Sequence, residues 1–529
     1  MGSLGSGLQE WATKAAEKYR AGGEEALTDF LGSQQAVLLA DPQRHRLLLY
    51  RDRVGIQDLY FVCTAETTWL STRVESLLTV GAISGEPDLE VCSAMLCGVA
   101  PSAQRSAYRD LGALGAGERL SVDSDGVEVR RYWSPWPDLG TQESAAPKDA
   151  KPDSWYEDRF ERLLREILLE QTPGRGSVAC TLSAGLDSST VATLLREVRP
   201  KLSITAVTFS SPDFPQEDEG PLAAEVAAGG SMESLELRLD RHWPLSRPDG
   251  LVVPRGLPLG NRYREVWEQA FEALSARGIS TLFTGVSGDN LFPAAVSPYA
   301  DQLLQGRWAT LWRDARAHLG GRWSLLPRLL RYRLVEPLRA HWRGFDPPAP
   351  PAWLTGKGRA LAAPWLVRRK ASEESPGRTL HRHWMEDPWL PLAVQELGRQ
   401  ARSHGIEFRH PLLDHRLMEF AARLPPRQVT RAGWTKHLLR RVMKDRLPSG
   451  ILREPGKKLP KGVWVRGLVD REGQKVRALM TEMRCAELGL VDAERLSQEY
   501  ESFAQDRRGT LKHLWAVLSL EAWLRGQFV

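Results

Sequence analysis

"SVACTLSAGLDSSTVATLLRE", Ser177–Glu197, runs from a short apolar segment through a small polar loop into an amphipathic segment with helical spacing. It predicts a buried strand, a tight loop and a helix, in that order. The rhythm repeats around it. A helix at "WYEDRFERLLREILLEQ" comes before, and strands at "LSITAVTFS", "SLELRL" and "STLFTG" alternate with helices near 220–229 and 263–277. Strands alternating with helices predict a parallel sheet with right-handed crossovers. Ligands of such sheets sit outside the carboxyl ends of the strands, and the loop Ser183–Ser189 falls at that place.

The loop has the composition of an anion cradle. Gly185 permits a tight turn and a close backbone approach. Helix N-terminal amides, with the hydroxyls of Ser183, Ser188 and Ser189, supply donors suited to phosphate. Asp187 repels phosphate unless both hold one divalent cation, as hard oxygen ligands hold Mg²⁺; alone it reads equally well as a helix cap. A second strand-to-loop segment, "TLFTGVSGDNLF", supplies Asp289. Two strand-end acids make a two-carboxylate magnesium site.

The flanks differ in character. A helix-prone lead-in over 1–22 is followed, from about Thr28 to Trp136, by strand-length segments with a hairpin turn signal at Asp125-Gly126. Residues 137–153 read as a linker rich in Pro, Ser, Ala and charge. Beyond about residue 300 the chain reads as largely helical, interrupted by "FDPPAPPAW" at 345–353. The 529 residues call for more than one domain, and 42% hydrophobic with 26% charged residues is ordinary for a globular protein. A net charge of +5 is mild for this length and gives no reason to expect a nucleic-acid partner. Five cysteines without a CxxC pair fit a reduced, cytoplasmic protein. Apolar runs fall short of a membrane span, so no membrane partner is expected.

These motifs resemble those of the asparagine synthetase-like enzymes. Ser183–Ser188 looks like their SGGxDS pyrophosphate loop and "TGVSGDN" like their second nucleotide loop. "HGIEFRHPLLDHRLMEFAARLP" resembles their GxExRxPxLD segment, and "TKHLLRRVMKDRLPSGILREPGKK" their KxxLR…LP…R…K segment. "LLLYRDRVGIQDLYF", "WLSTRVESLL", "LGAGERLSV" and "RYW" are similar to the later half of the family's glutaminase domain. The resemblance implies an α/β protein in two parts. Residues 1–145 would form a degenerate, β-rich glutaminase-like (Ntn-type) domain. Residues 154–529 would form a doubly wound parallel-sheet ATP pyrophosphatase domain with a helical C-terminal region. The family's cysteine after the initiator is missing, since the chain reads Met1-Gly2-Ser3. Without a thiolate nucleophile glutamine hydrolysis has no covalent route, and the amine must come from elsewhere.

The resemblance carries roles onto particular residues. Ser183, Gly185, Asp187, Ser188 and Ser189 would cradle the phosphates of ATP. Asp187 and Asp289 would hold Mg²⁺, and Leu182, Val207, Thr284 and Gly285 would contact adenosine. Lys457, with Lys458 next, would stabilise charge during adenylation and amide formation. Ala184 and Asn290 depart from the family pattern without removing a donor or either acid. Arg409 and Asp414 read as braces, and His381 and His383 as surface or core residues. Trp384, Trp389, Trp434 and Trp464 flank the region and read as packing. Within the family, the degenerate first domain and the segments "GLVDREGQKVRALM" and "LWAVLSLEAWLRGQF" look most like the lasso peptide cyclases. That implies a leader-processed peptide substrate, with a leader peptidase and a leader-binding protein as partners. A β-lactam synthetase-like ligase and an inactive partner-binding scaffold are the alternatives.

Overall fold

The computed structural model describes residues 6–32, 36–64, 66–101, 104–136, 151–247, 250–369, 375–454, 461–506 and 513–528. The expected linker lies almost wholly outside them. The chain divides into two compact units. The first comprises Met1–Asp88, Ser102–Pro135 and Pro391–Gln395; the second holds Leu89–Pro101, Trp136–Leu390 and Glu396–Val529.

The first unit opens with helix α1 (Ser6–Phe30), broken at Gly22-Gly23, where Gly23 takes φ 68°. Two antiparallel sheets follow. One has the order β1 (Val37–Asp41), β2 (Arg46–Tyr50), β6 (Glu118–Asp123), β7 (Gly126–Arg131). The other has β4 (Thr68–Ser71), β3 (Tyr60–Cys63), β5 (Gly112–Ala113). Tyr19 and Leu27 of α1 pack with Leu48 and Tyr50 of β2, so the amphipathic lead-in covers one sheet. The hairpin forms one residue earlier than its sequence signal: Asp123 pairs with Gly126, leaving Ser124-Asp125 as the loop. Gly126, at φ 121°, absorbs the twist at the start of β7.

The second unit is built on a five-stranded parallel sheet, β10-β9-β8-β11-β12. Its elements are α2 (Asp153–Gln171), β8 (Ser177–Thr181), α3 (Leu186–Val198), β9 (Ser203–Ser210), α4 (Gly220–Gly229), β10 (Glu233–Arg238), α5 (Arg264–Ala276), β11 (Thr281–Phe283) and β12 (Glu407–Arg409). Successive residues Val178, Ala179 and Cys180 of β8 are all buried, so both faces of the sheet are covered. Ala179, Val207, Phe271, Leu282 and Phe408 share one core. Strand order fixes where a ligand goes. From β8 the chain winds outward through β9 and β10, then returns to place β11 on the other side of β8. The loops leaving β8 and β11 therefore diverge at a topological switch point, the usual crevice of a doubly wound sheet.

Candidate functional site

The crevice is a cavity of about 410 Å³, lined among others by Ser183, Gly185, Asp187, Ser188, Thr284, Gly285 and Asp289. Its polar end is the loop after β8. The Ser183 and Ser188 hydroxyls lie 2.9 Å apart, the Ser183 amide donates to Ser188 Oγ (3.1 Å), and the Gly185 amide donates to Ser183 Oγ (3.1 Å). These bonds hold the loop in shape before anything binds. Helix α3 begins at once, with Gly185 as an N-cap that supplies no side-chain bond. The first-turn amides of a helix lack intrahelical acceptors, and this end abuts the cavity; together they form an anion site. Gly185 takes φ −78°, so a left-handed turn is not the reason for glycine there. A Cβ at Gly185 would sit 3.1 Å from Ser183 Oγ.

The second loop is pressed against the first, and its two glycines allow this. A Cβ on Gly285 would come within 2.5 Å of the Ser188 amide nitrogen, and one on Gly288 within 2.0 Å of the Asp187 carboxyl carbon. Ser287 between them takes φ 78°, a conformation that costs ~1 kcal/mol or more for a residue with a Cβ. Gly288→Ala is expected to push the Asp187 carboxylate out of place and weaken Mg–ATP binding at least about tenfold. Isothermal titration calorimetry on the folded variant checks this.

The two acids meet on one cation. Lys436 Nζ lies 2.5 Å from Asp187 Oδ2 and 2.7 Å from Asp289 Oδ1. Burial alone would pull the ammonium's pKa down, but the charges of Asp187 and Asp289 outweigh it and the net direction is upward. Lys436 sits in the left-handed region (φ 51°) at the start of the helix His437–Val442. Asp187 is sunk in the site, with 15% side-chain exposure, while Asp289 is open at 55%. Two hard carboxylates from separate strand ends converging on one positive charge form a donor set that fits Mg²⁺. No group of three or more His, Cys, Asp and Glu gathers for metal among the described residues. A divalent ion here would take its other oxygens from phosphate and water.

The opposite wall is apolar, with Phe209, Leu222, Trp267, Leu397 and Ile451. Phe209 and Trp267 pack edge to face at 4.8 Å. Thr284 lies at the polar margin. Its hydroxyl bonds Nδ1 of the buried His410 at 2.7 Å, and burial lowers that imidazole's pKa to about 4, which keeps it neutral. Arg440 donates to the carbonyls of Thr435, Leu452 and Glu454, all near the cavity.

The structure thus gathers Ser183, Gly185, Asp187, Ser188, Thr284, Gly285 and Asp289 around one cavity. The side chains of Leu182, Ser189 and Val207 stand behind it. Leu182 and Val207 are buried, with the Leu182 amide bonded to the Val207 carbonyl, and the Ser189 hydroxyl donates to the Ser183 carbonyl. Lys457 and Lys458 lie outside the described residues. Asn290 donates its amide to the Trp384 carbonyl at 2.8 Å. Asp414 caps the helix His415–Ala422, and Arg409 pairs with Glu407. His381 and His383 are both lowered to about 4 by burial, His381 bonding the Leu291 carbonyl and His383 stacking on Phe345. Sequence reasoning passed over Lys436, Arg440 and Trp267. The first two stood in plain view at the ends of the KxxLR motif, and Trp267 on the amphipathic stretch read as a helix.

Two family models match the chain. The asparagine synthase family model matches residues 159–525, and the glutamine amidotransferase domain model matches 15–133. The chain is 22% identical over 528 residues to asparagine synthetase [glutamine-hydrolyzing] 1 of Bacillus subtilis, covering 96% of this chain and 79% of that one. It is 23% identical over 549 residues to a putative asparagine synthetase of Mycobacterium tuberculosis, covering 98% and 78%. It is 24% identical over 527 residues to amidase chyE of Penicillium rubens, covering 87% and 74%.

Proposed function

The chain belongs to the asparagine synthase family, and on that premise we propose that it is an ATP-dependent amide-forming synthetase without glutaminase activity, a peptide macrolactam cyclase of the lasso type. In this reading a substrate carboxylate oxygen attacks the α-phosphorus of ATP and pyrophosphate leaves. An amine of the same peptide, its N-terminus, then attacks the activated carbonyl of an Asp or Glu side chain. AMP departs and the nitrogen loses a proton. The carrying observation is the meeting of Asp187 and Asp289 on one cation beside an uncapped helix N-terminus at the switch point.

Each residue has a task. Ser183, Ser188 and the first amides of α3 receive the phosphates, with Gly185 allowing their approach. Asp187 and Asp289 would hold Mg²⁺, which when bound supplies charge neutralisation for the departing pyrophosphate. Lys436 stands where it can move from the acids to phosphate oxygens as the ion enters. The Phe209–Trp267 wall provides apolar surface for a base or a peptide side chain. Lys457 and Lys458 would bring positive charge to the activated carboxylate. Catalysis of this kind is mainly positioning and charge neutralisation.

The state of the thiols supports the absence of glutamine hydrolysis. Cys92, Cys97, Cys180 and Cys485 are buried and Cys63 half-buried. Burial raises the pKa of Cys63, of Cys97 to about 11 and of Cys180 to about 12. A nucleophilic cysteine needs the opposite shift. The test is pyrophosphate release by the purified chain with ATP, Mg²⁺ and a leaderless core peptide. Release with that peptide, and none with glutamine plus aspartate, is the expected result. Release with an amino-acid derivative instead would move the assignment to a small-molecule ligase. Failure to bind ATP with Mg²⁺ would make the chain a partner-binding scaffold.

A further inference from the structure

The segment Arg307–Arg343 carries nine arginines against two acids, Asp314 and Glu336, although the whole chain has an excess of only five positive charges. The rest of the chain is therefore net acidic, and the positive charge is concentrated here. Eight of the nine arginines are exposed, all but Arg333. Of the two acids, Asp314 is buried and accepts the Gln302 amide, and Glu336 lies 3.8 Å from Arg331. Asp346, just beyond, pairs with Arg339 and Arg368.

The same segment leaves four tryptophans outside. Trp308, Trp312, Trp323 and Trp342 are 63%, 61%, 50% and 64% exposed. The helices have a core of their own, in which Leu311, Ala315, Leu319, Leu329 and Leu334 pack around Tyr299. These aliphatic residues turn inward, while the four indoles, with Leu330 and Val335, face out. Trp312 and Trp323, from separate elements, lie 6.2 Å apart between ring centres. From Leu326 to Arg343 helical conformation runs unbroken. Its outer face interleaves Arg328, Arg331, Tyr332, Val335, Arg339 and Trp342, all exposed.

We propose that this face of the synthetase unit binds an anionic lipid surface. Exposed rings of this size carry an area that soluble surfaces rarely leave uncovered. Only Trp312 and Trp323 adjoin; along the Leu326–Arg343 helix arginines alternate with the rings, unlike the single apolar centre with a polar rim of a protein interface. That interleaving suits a bilayer interface. Indole and phenol rings settle at headgroup depth, while long arginine side chains reach the phosphates. No described helix is long and apolar enough to cross a membrane, so the contact is peripheral. It departs from the absence of a membrane partner expected from hydropathy, because a hydropathy scan detects spans and not interleaved faces.

The test uses the whole chain and vesicles of phosphatidylcholine alone or mixed with phosphatidylglycerol. Co-sedimentation with the mixed vesicles only, weakened by salt and accompanied by a blue shift of tryptophan emission, is the expected result. Arg316→Glu with Arg328→Glu should lower that partition at least about tenfold. Trp308→Ser with Trp342→Ser should at least halve the emission shift, Trp312 and Trp323 remaining, with unchanged melting temperatures for both pairs. No binding to the anionic vesicles overturns the proposal, and so does equal binding by the variants. A parent that elutes as a dimer, becomes monomeric on losing Trp308 and Trp342, and ignores vesicles would make the face a contact between copies and overturn it as well.

Discussion

Asp187→Asn is expected to leave the fold intact and to reduce substrate-dependent pyrophosphate release by about 10³-fold or more. Asparagine has the same shape, so the bonds that shape the Ser183–Ser188 loop survive. What disappears is one negative charge, 15% exposed, at the point where two loops touch through Gly285 and Gly288. Asp289→Asn should be milder, because that carboxylate is 55% exposed and water can replace part of its role. The order of the two effects carries the information. If they act only as mutual braces through Lys436, the variants will lose thermal stability together and keep turnover per folded molecule. If they hold the ion that neutralises pyrophosphate, turnover will fall further than stability, and more at Asp187. Turnover of the Asp187 variant within about threefold of the parent would remove the metal role altogether.

Much of this site was legible because strands, loops and helices alternate on a short period. From Asp153 to Phe283 each expected element lies within a few residues of its observed place. The small polar loops stood out against apolar runs. Reading failed where the signal was short or distant. Strand β12 has only three residues, too few for a period, and its partner β11 lies far back in the sequence. The segment "GIEFRHPLLD" was visible as a motif but not as the fifth strand. The Lys436–Asp187 pair joins residues 249 apart, a distance over which no spacing rule operates. Lys457 and Lys458 lie outside the described residues, and among those described it is Lys436 that meets both acids.

Lys436→Met tests whether the ammonium occupies the place of the divalent ion. Methionine keeps the unbranched stem and removes the charge, leaving two carboxylates aimed at one point. With one member of the pair more than half exposed, the expected loss in metal-free buffer is about 2 kcal/mol, below the value for a fully buried pair. Addition of Mg²⁺ should restore it, so the melting temperature should rise more with Mg²⁺ in the variant than in the parent. The pH dependence has a definite sign. In the parent the folded-state pKa of Lys436 is raised, so its contribution is present below the unfolded lysine value and fades only as pH climbs through the folded one. In the variant that contribution is gone, and the repulsion left between two carboxylates eases as they take up protons, so metal-free stability should increase as pH falls. Turnover should drop about 10²-fold at every pH, because the phosphates lose a cation. A variant whose melting temperature ignores both Mg²⁺ and pH would show that Lys436 braces a loop and has no part in exchanging places with the metal.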